Sequence, residues 1–147
     1  MPEPSPRTKP SRVRSNGREA ARHDTLVIAE SFIGGGEYTV AILGEQVLPV
    51  IKIEPANEFY DYEAKYFDER TRLVIPAPIP EETAARVQAL AVQAFKAIDA
   101  SGLARVDFFL RSSDGQLFLN EINTMPGFTQ VSMYPKLWEA AGVSYPE

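Results

Sequence analysis

The sequence predicts an α+β fold, a mainly antiparallel sheet with one principal covering helix. Three observations carry that expectation. Short β-rich runs separated by turn signals fill the chain from Thr25 onward. One long stretch of helical periodicity lies between Pro80 and Gly102. Two further runs, residues 105–111 and 117–123, flank a turn too short for a crossover, so they must form a hairpin. With 147 residues, 44% apolar and 24% charged, the composition is ordinary for a globular chain of about one domain.

Residues 1–22 hold four prolines and six basic residues, with Val13 the one large apolar residue after Met1. Such a stretch cannot build a core, so residues 1–24 are expected to be a disordered basic leader with His23 exposed beside it. Residues 25–30 and 37–43 read as strands, Gly44 and Glu45 as a two-residue turn, and 46–54 as a strand that Pro49 pushes towards an edge or a bulge. Gly34, Gly35 and Gly36 read as a turn. Neither Gly-Lys-Ser/Thr nor a helix follows them, so they are no phosphate-binding or dinucleotide loop. Residues 55–72 are polar and aromatic without steady periodicity, a long loop of the kind that is uncommon without a function.

Residues 73–75 form a short strand candidate closed by Pro76, Pro78 and Pro80. Glu81 and Glu82 then suit the positive end of a helix, and Val87, Leu90, Ala91, Ala94, Phe95 and Ile98 recur at three- and four-residue steps until Gly102. The hairpin that follows is expected to turn on three residues, Ser113, Asp114 and Gly115, with Gly115 left-handed. An uncharged loop over residues 124–134 leads to a short helix, residues 135–141, stopped by Gly142.

Charge and composition exclude several functions. Six Lys/Arg against three acids leave residues 1–24 at +3, while nine against seventeen leave residues 25–147 at −8. An acidic body argues against general nucleic-acid binding, whose affinity comes from many cations neutralising phosphates. Without cysteine there is no disulfide framework, thiolate metal site or cysteine nucleophile, and His23 alone makes no histidine cluster. No apolar run approaches the roughly 20 residues of a membrane span, and the N-terminus lacks a signal-peptide core. A cytoplasmic chain without membrane association is expected.

The chemistry concentrates in the last hairpin. In register about Asp114, Asp107 faces Glu121 and Arg105 faces Asn123, all four on one face, with Phe109 and Leu119 further along it. Opposed carboxylates repel unless a cation or a shared proton relieves them. An all-oxygen set suits a hard ion, Mg²⁺ or Mn²⁺, that keeps waters and substrate phosphates as its other ligands. Arg105 adds a group suited to gripping phosphate oxygens. The small-residue turn Thr124-Met125-Pro126-Gly127-Phe128-Thr129 follows, with backbone N–H groups able to hold an oxyanion.

The stretch IDASGLARVDFFLRSSDGQLFLNEINTMPG, together with EYTVAILGEQVLPVIKI, FYDYEAKY and SMYPKLWEAAG, resembles the C-terminal part of the D-alanine–D-alanine ligases, members of the ATP-grasp superfamily. The likeness runs from Thr25 to the end of the chain. It implies an ATP-grasp C-terminal subdomain and an enzyme that phosphorylates one D-alanine carboxylate with ATP, then lets a second D-alanine attack the acyl phosphate, for peptidoglycan. Position by position it implies that Asp107, Glu121 and Asn123 ligate two Mg²⁺ or Mn²⁺ ions and that Arg105 steadies the transferred phosphoryl group. It further implies that Gly127 donates an N–H to the oxyanion and that Ser132 and Met133 meet the second substrate's carboxylate. Glu30, Phe32 and Ile33 correspond to the adenine segment, Glu37 to the ribose contact, and Lys65, beside the substrate-side Tyr66, to the phosphate lysine of a mobile loop. Relative to the family, an N-terminal substrate domain and a glycine-rich phosphate loop are expected to be missing before Thr25. The family implies dimers formed through that part, so a homodimer is expected only if the part is present. The rival expectations are an inactive or partner-dependent fragment that binds nucleotide and Mg²⁺, and, ranked last, an interaction protein acting through its basic arm.

Overall fold

The computed structural model describes residues 17–44, 46–54, 72–129 and 132–144. The chain divides into two units, Met1–Phe32 and Ile33–Glu147. In the first, a helical turn over residues 17–20 passes through a turn at 21–23 into chain without regular structure. The strand expected at residues 25–30 does not form. Leu26 and Ile28 are 76% and 77% exposed instead of packed, and the Asp24 carboxylate accepts the Leu26 N–H at 3.1 Å, bending the chain where a strand would start. Apolar alternation makes a strand only where a partner edge exists.

The second unit is an open sheet. In chain order it comprises β1 (Gly35–Leu43), β2 (Gln46–Val47), β3 (Ile51–Glu54), β4 (Arg72–Val74), the helix α1 (Glu81–Ala97), β5 (Leu103–Arg111), β6 (Leu117–Asn123) and the helix α2 (Met133–Ala140). The strands lie in the order β4-β3-β1-β5-β6, with β2 also on β1, and the pairings are antiparallel.

Strand alternation gives the sheet two different faces. Tyr38, Val40 and Ile42 of β1 and Ala104, Val106 and Phe108 of β5 pack on one side with Val87, Ala91 and Phe95 of α1. Each Val, Ile or Phe side chain among them, once fully buried, contributes about 1.5–3 kcal/mol. Glu81 and Glu82 occupy the first turn of α1 and Lys96 the last, each matched to the helix dipole. The expected stripe overshoots by one residue: Ile98 is the C-cap and 52% exposed, because Asp99 turns the chain away with φ 54°. On the opposite face Ala41, Leu48 and Ile51 meet Tyr134, Leu137 and Trp138 of α2. The buried Tyr134 hydroxyl donates to the Ile42 carbonyl at 2.6 Å, and burial holds this phenol above its ordinary value. One long helix therefore covers one face, as expected, and a short one covers part of the other.

Three local expectations are corrected. Gly35 and Gly36 belong to β1 instead of a turn. A Cβ on Gly35 would sit 2.0 Å from the Leu110 carbonyl oxygen, so glycine here permits close approach of β1 and β5. The single strand expected over residues 46–54 is two, β2 and β3, interrupted around Pro49, which has no N–H for the ladder. The last hairpin turns on four residues, 112–115, inside the Arg111 N–H to Gln116 carbonyl bond of 2.9 Å, with Gly115 left-handed at φ 69°. Glu45 and most of the long loop, residues 55–71, lie outside the described residues.

Candidate active site

The sheet face under α2 changes from apolar to charged along β5. Arg105 and Asp107 alternate on this strand, and the β5–β6 register sets Arg105 opposite Asn123 and Asp107 opposite Glu121, as the sequence predicts. The path to that register differs from the expectation. Leu110 pairs with Leu117 and Phe108 with Leu119, and a bulge between Asp107 and Phe108 shifts the pairing by one residue before Glu121. Phe109 consequently faces Phe118 and not Leu119, and Leu119 is 53% exposed, so it is no part of a core.

The Asp107 side chain is 2% exposed, that of Arg105 13% and that of Glu121 44%. Arg105 grips the aspartate as a fork: Nε donates to Oδ1 at 3.0 Å and to Oδ2 at 3.1 Å, and Nη2 donates to Oδ2 at 2.9 Å. The same Nη2 stands 3.9 Å from Glu121 Oε1. A cation thus already lies between two carboxylates that would otherwise repel across the hairpin. Asn123 Oδ1 accepts the Met125 N–H at 3.1 Å, starting the turn that follows β6, and its second lone pair is uncommitted by that bond.

This donor set suits a divalent hard ion. By strand register two carboxylates and a carboxamide share one face, and both carboxylates already draw the Arg105 guanidinium. Among the described residues no group of three or more His, Cys, Asp or Glu gathers, so an ion held here would complete its shell from water or phosphate.

A partner that sequence reasoning missed sits on β1. Thr39, fully buried, lies opposite Asp107 in the β1–β5 register and donates from Oγ1 to Asp107 Oδ1 at 2.7 Å. Only the pairing of β1 with β5 could have revealed it, and no local signal announces that pairing.

The remaining predicted site residues fall into separate groups. Glu30 and Phe32 lie exposed in the first unit. Ile33 is half-buried in the second, and Glu37 sits on β1 opposite Ile53 and Phe109. Gly127 and Ser132 come together after β6: a Cβ on Gly127 would be 3.0 Å from Ser132 Oγ. That hydroxyl accepts the Thr129 N–H at 3.0 Å and lies 2.8 Å from Thr129 Oγ1. Ser132 is the N-cap of α2 and Met133 its first residue, two positions earlier than the helix start expected from sequence. Lys65 and Tyr66 lie outside the described residues.

Comparison with solved structures identifies this antiparallel sheet backed by one long helix as the C-terminal subdomain of an ATP-grasp fold. The VanG D-Ala:D-Ser ligase from Enterococcus faecalis superposes with a TM-score of 0.75 at 38% identity, over 93% of this chain and 40% of that one. The D-alanine–D-alanine ligase from Bacillus anthracis complexed with ATP gives 0.75 at 32% identity, over 93% and 43%. The family model for the D-ala D-ala ligase C-terminus matches residues 9–147. In sequence, the D-alanine–D-alanine ligase of Acetivibrio thermocellus is 54% identical over 131 residues, 87% of this chain and 35% of that protein. That of Halothermothrix orenii is 51% identical over 142 residues, 94% and 41%. The chain belongs to the D-alanine–D-alanine ligase C-terminal family, and it spans between 35% and 41% of the length of these two relatives. No helix among the described residues is long and apolar enough to cross a membrane.

Proposed function

We propose that this chain carries the phosphoryl-handling part of an ATP-dependent ligation of two D-alanines. The observation that supports it most directly is the convergence of Arg105, Asp107 and Glu121 on one sheet face, with the guanidinium between the two carboxylates. In this reading Asp107, Glu121 and Asn123 would hold Mg²⁺ or Mn²⁺. The ion would neutralise charge on ATP's phosphates. Arg105, a planar and permanently charged fork, moves from carboxylate oxygens to those of the transferred phosphoryl group, which present the same bidentate geometry.

The other residues act by orientation. The first D-alanine's carboxylate attacks the γ-phosphorus, ADP leaves, and the second D-alanine's amine displaces phosphate from the acyl phosphate. The Gly127 N–H would face the oxyanion of that addition. Ser132 and Met133 stand at the N-terminus of α2, whose dipole favours a substrate carboxylate, with the Ser132 N–H itself donating to the Thr129 carbonyl at 2.9 Å. By the same resemblance Ile33 and Glu37, both in the second unit, would meet the nucleotide, and the roles carried over to Glu30, Phe32, Lys65 and Tyr66 rest on the resemblance alone.

The test is phosphate release by the purified chain. The reading expects release only when ATP, Mg²⁺ and D-alanine are present together, and its loss in Asp107→Asn and Glu121→Gln. Calorimetric ADP binding that those substitutions abolish, without turnover in the parent, assigns the chain a nucleotide–metal binding role instead. Neither turnover nor ADP binding refutes both.

A further inference from the structure

We infer that Thr39 is the positioning residue that fixes which oxygen of Asp107 is offered to a metal ion. The inference rests on the reading of Asp107 as a metal ligand. Asp107 is 2% exposed, and its two carboxylate oxygens are treated differently by their surroundings. Oδ1 takes a 2.7 Å hydrogen bond from Thr39 Oγ1, a hydroxyl that is itself completely buried. Arg105 Nε reaches Oδ1 as well, at 3.0 Å, but Oδ2 is bonded, among the described residues, by Arg105 alone.

When Arg105 turns to phosphate, Oδ2 is released. Oδ1 stays tied to β1, because the Thr39 hydroxyl belongs to a paired strand and has no route to substrate. The carboxylate plane is thereby held with Oδ2 on the side of Arg105 Nη2, the nitrogen that also stands 3.9 Å from Glu121 Oε1. A bond to the far oxygen of a ligating carboxylate does two things: it removes the rotation that would swing the ligand out of line, and it satisfies a lone pair that would otherwise be buried unpaired. Thr39 touches no substrate in this scheme and acts wholly through Asp107. Threonine suits the task because it combines a strand-favouring β-branched side chain with a hydroxyl donor.

The experiment compares Mn²⁺ binding, with and without ADP, by the full chain and by Thr39→Val, Thr39→Ser and Asp107→Asn, with urea unfolding run on each. Thr39→Val keeps the side-chain shape and loses the donor, so Mn²⁺ affinity is expected to fall about 10- to 100-fold. Thr39→Ser, which retains the hydroxyl, is expected within about threefold of the parent, a rescue that a packing role for the threonine methyl does not produce. Should Thr39→Val fail to fold, Thr39→Ala carries the same comparison. If the variant without a hydroxyl binds Mn²⁺ as the parent does while Asp107→Asn does not bind, Thr39 has no positioning role and the metal reading stands. If Asp107→Asn binds like the parent, or the parent shows no saturable Mn²⁺ binding, the metal reading falls and the assignment of Thr39 falls with it.

Discussion

Removing Arg105 should leave a buried charge with nowhere to go. In Arg105→Met the Asp107 carboxylate loses three N–H contacts of 2.9–3.1 Å while remaining 2% exposed in the same strand pair. Breaking a buried ion pair from one side costs about 3–5 kcal/mol. Two features set the loss at the lower end: the Thr39 hydrogen bond persists, and Glu121, 44% exposed, lets water approach from its side. The expectation is therefore about 3 kcal/mol out of a total of roughly 5–15 kcal/mol for a domain. With a urea slope of about 2 kcal/mol per molar, the unfolding midpoint should drop by about 1.5 M. Adding Asp107→Asn to Arg105→Met removes the stranded charge and should recover at least half of that drop. Mn²⁺ should also restore part of it in Arg105→Met itself, since a hundredfold excess over Kd adds about 2.7 kcal/mol to the folded state. A midpoint loss below about 0.5 M, or no recovery in the double variant, would refute the argument that Arg105 balances Asp107.

Two further outcomes test the framework around the site. Gly35→Ala places a Cβ 2.0 Å from the Leu110 carbonyl oxygen and 2.9 Å from its carbon, both backbone atoms that cannot rotate away. Destabilisation of about 1–3 kcal/mol is expected by urea unfolding, and a loss under about 0.5 kcal/mol would show that β1 and β5 separate there without consequence. At the hairpin turn the Arg111 guanidinium, and after it the Gln116 N–H, pull the Asp114 carboxyl from its ordinary 3.8 to about 2. A depressed value in the folded state means a contribution fully present above 3.8 that fades as pH falls towards 2. In Arg111→Gln the Asp114 midpoint, followed by carboxyl-carbon NMR, should rise towards 3.8, and an unmoved midpoint would place the cause elsewhere.

How much of this was legible depended on the range of the interaction. The helix α1 was readable because Pro80, Glu81 and Glu82 mark its start and Val87, Ala91 and Phe95 its buried stripe, all within one segment. The opposition of Asp107 and Glu121 was also readable, although through two offsets that cancel. A three-residue turn was expected where four residues lie, and the bulge between Asp107 and Phe108 supplies the missing shift. Without the bulge, the pairing of Leu110 with Leu117 would carry Asn120 opposite Asp107. Residues 25–30 misled for the converse reason: Leu26 and Ile28 alternate like a strand, but alternation carries no information about whether an edge awaits it.

Thr39 was out of reach for a deeper reason, and that reason bears on how the site works. It meets Asp107 across 68 residues of chain, through a pairing that inserts β1 between β3 and β5. The two carboxylates therefore stand on strands of unlike kind. Asp107 lies on β5, flanked by β1 and β6, and is locked by hydrogen bonds from Thr39 and Arg105. Glu121 lies on β6, at the end of the strand order, with its side chain turned to water. In the proposed metal reading an ion would meet the solvated carboxylate first, where desolvation costs least, and would reach the buried one only as Arg105 let go. That reading would couple entry of the ion to release of the guanidinium. For that reason a cation and a phosphate should each bind this face more tightly in the presence of the other.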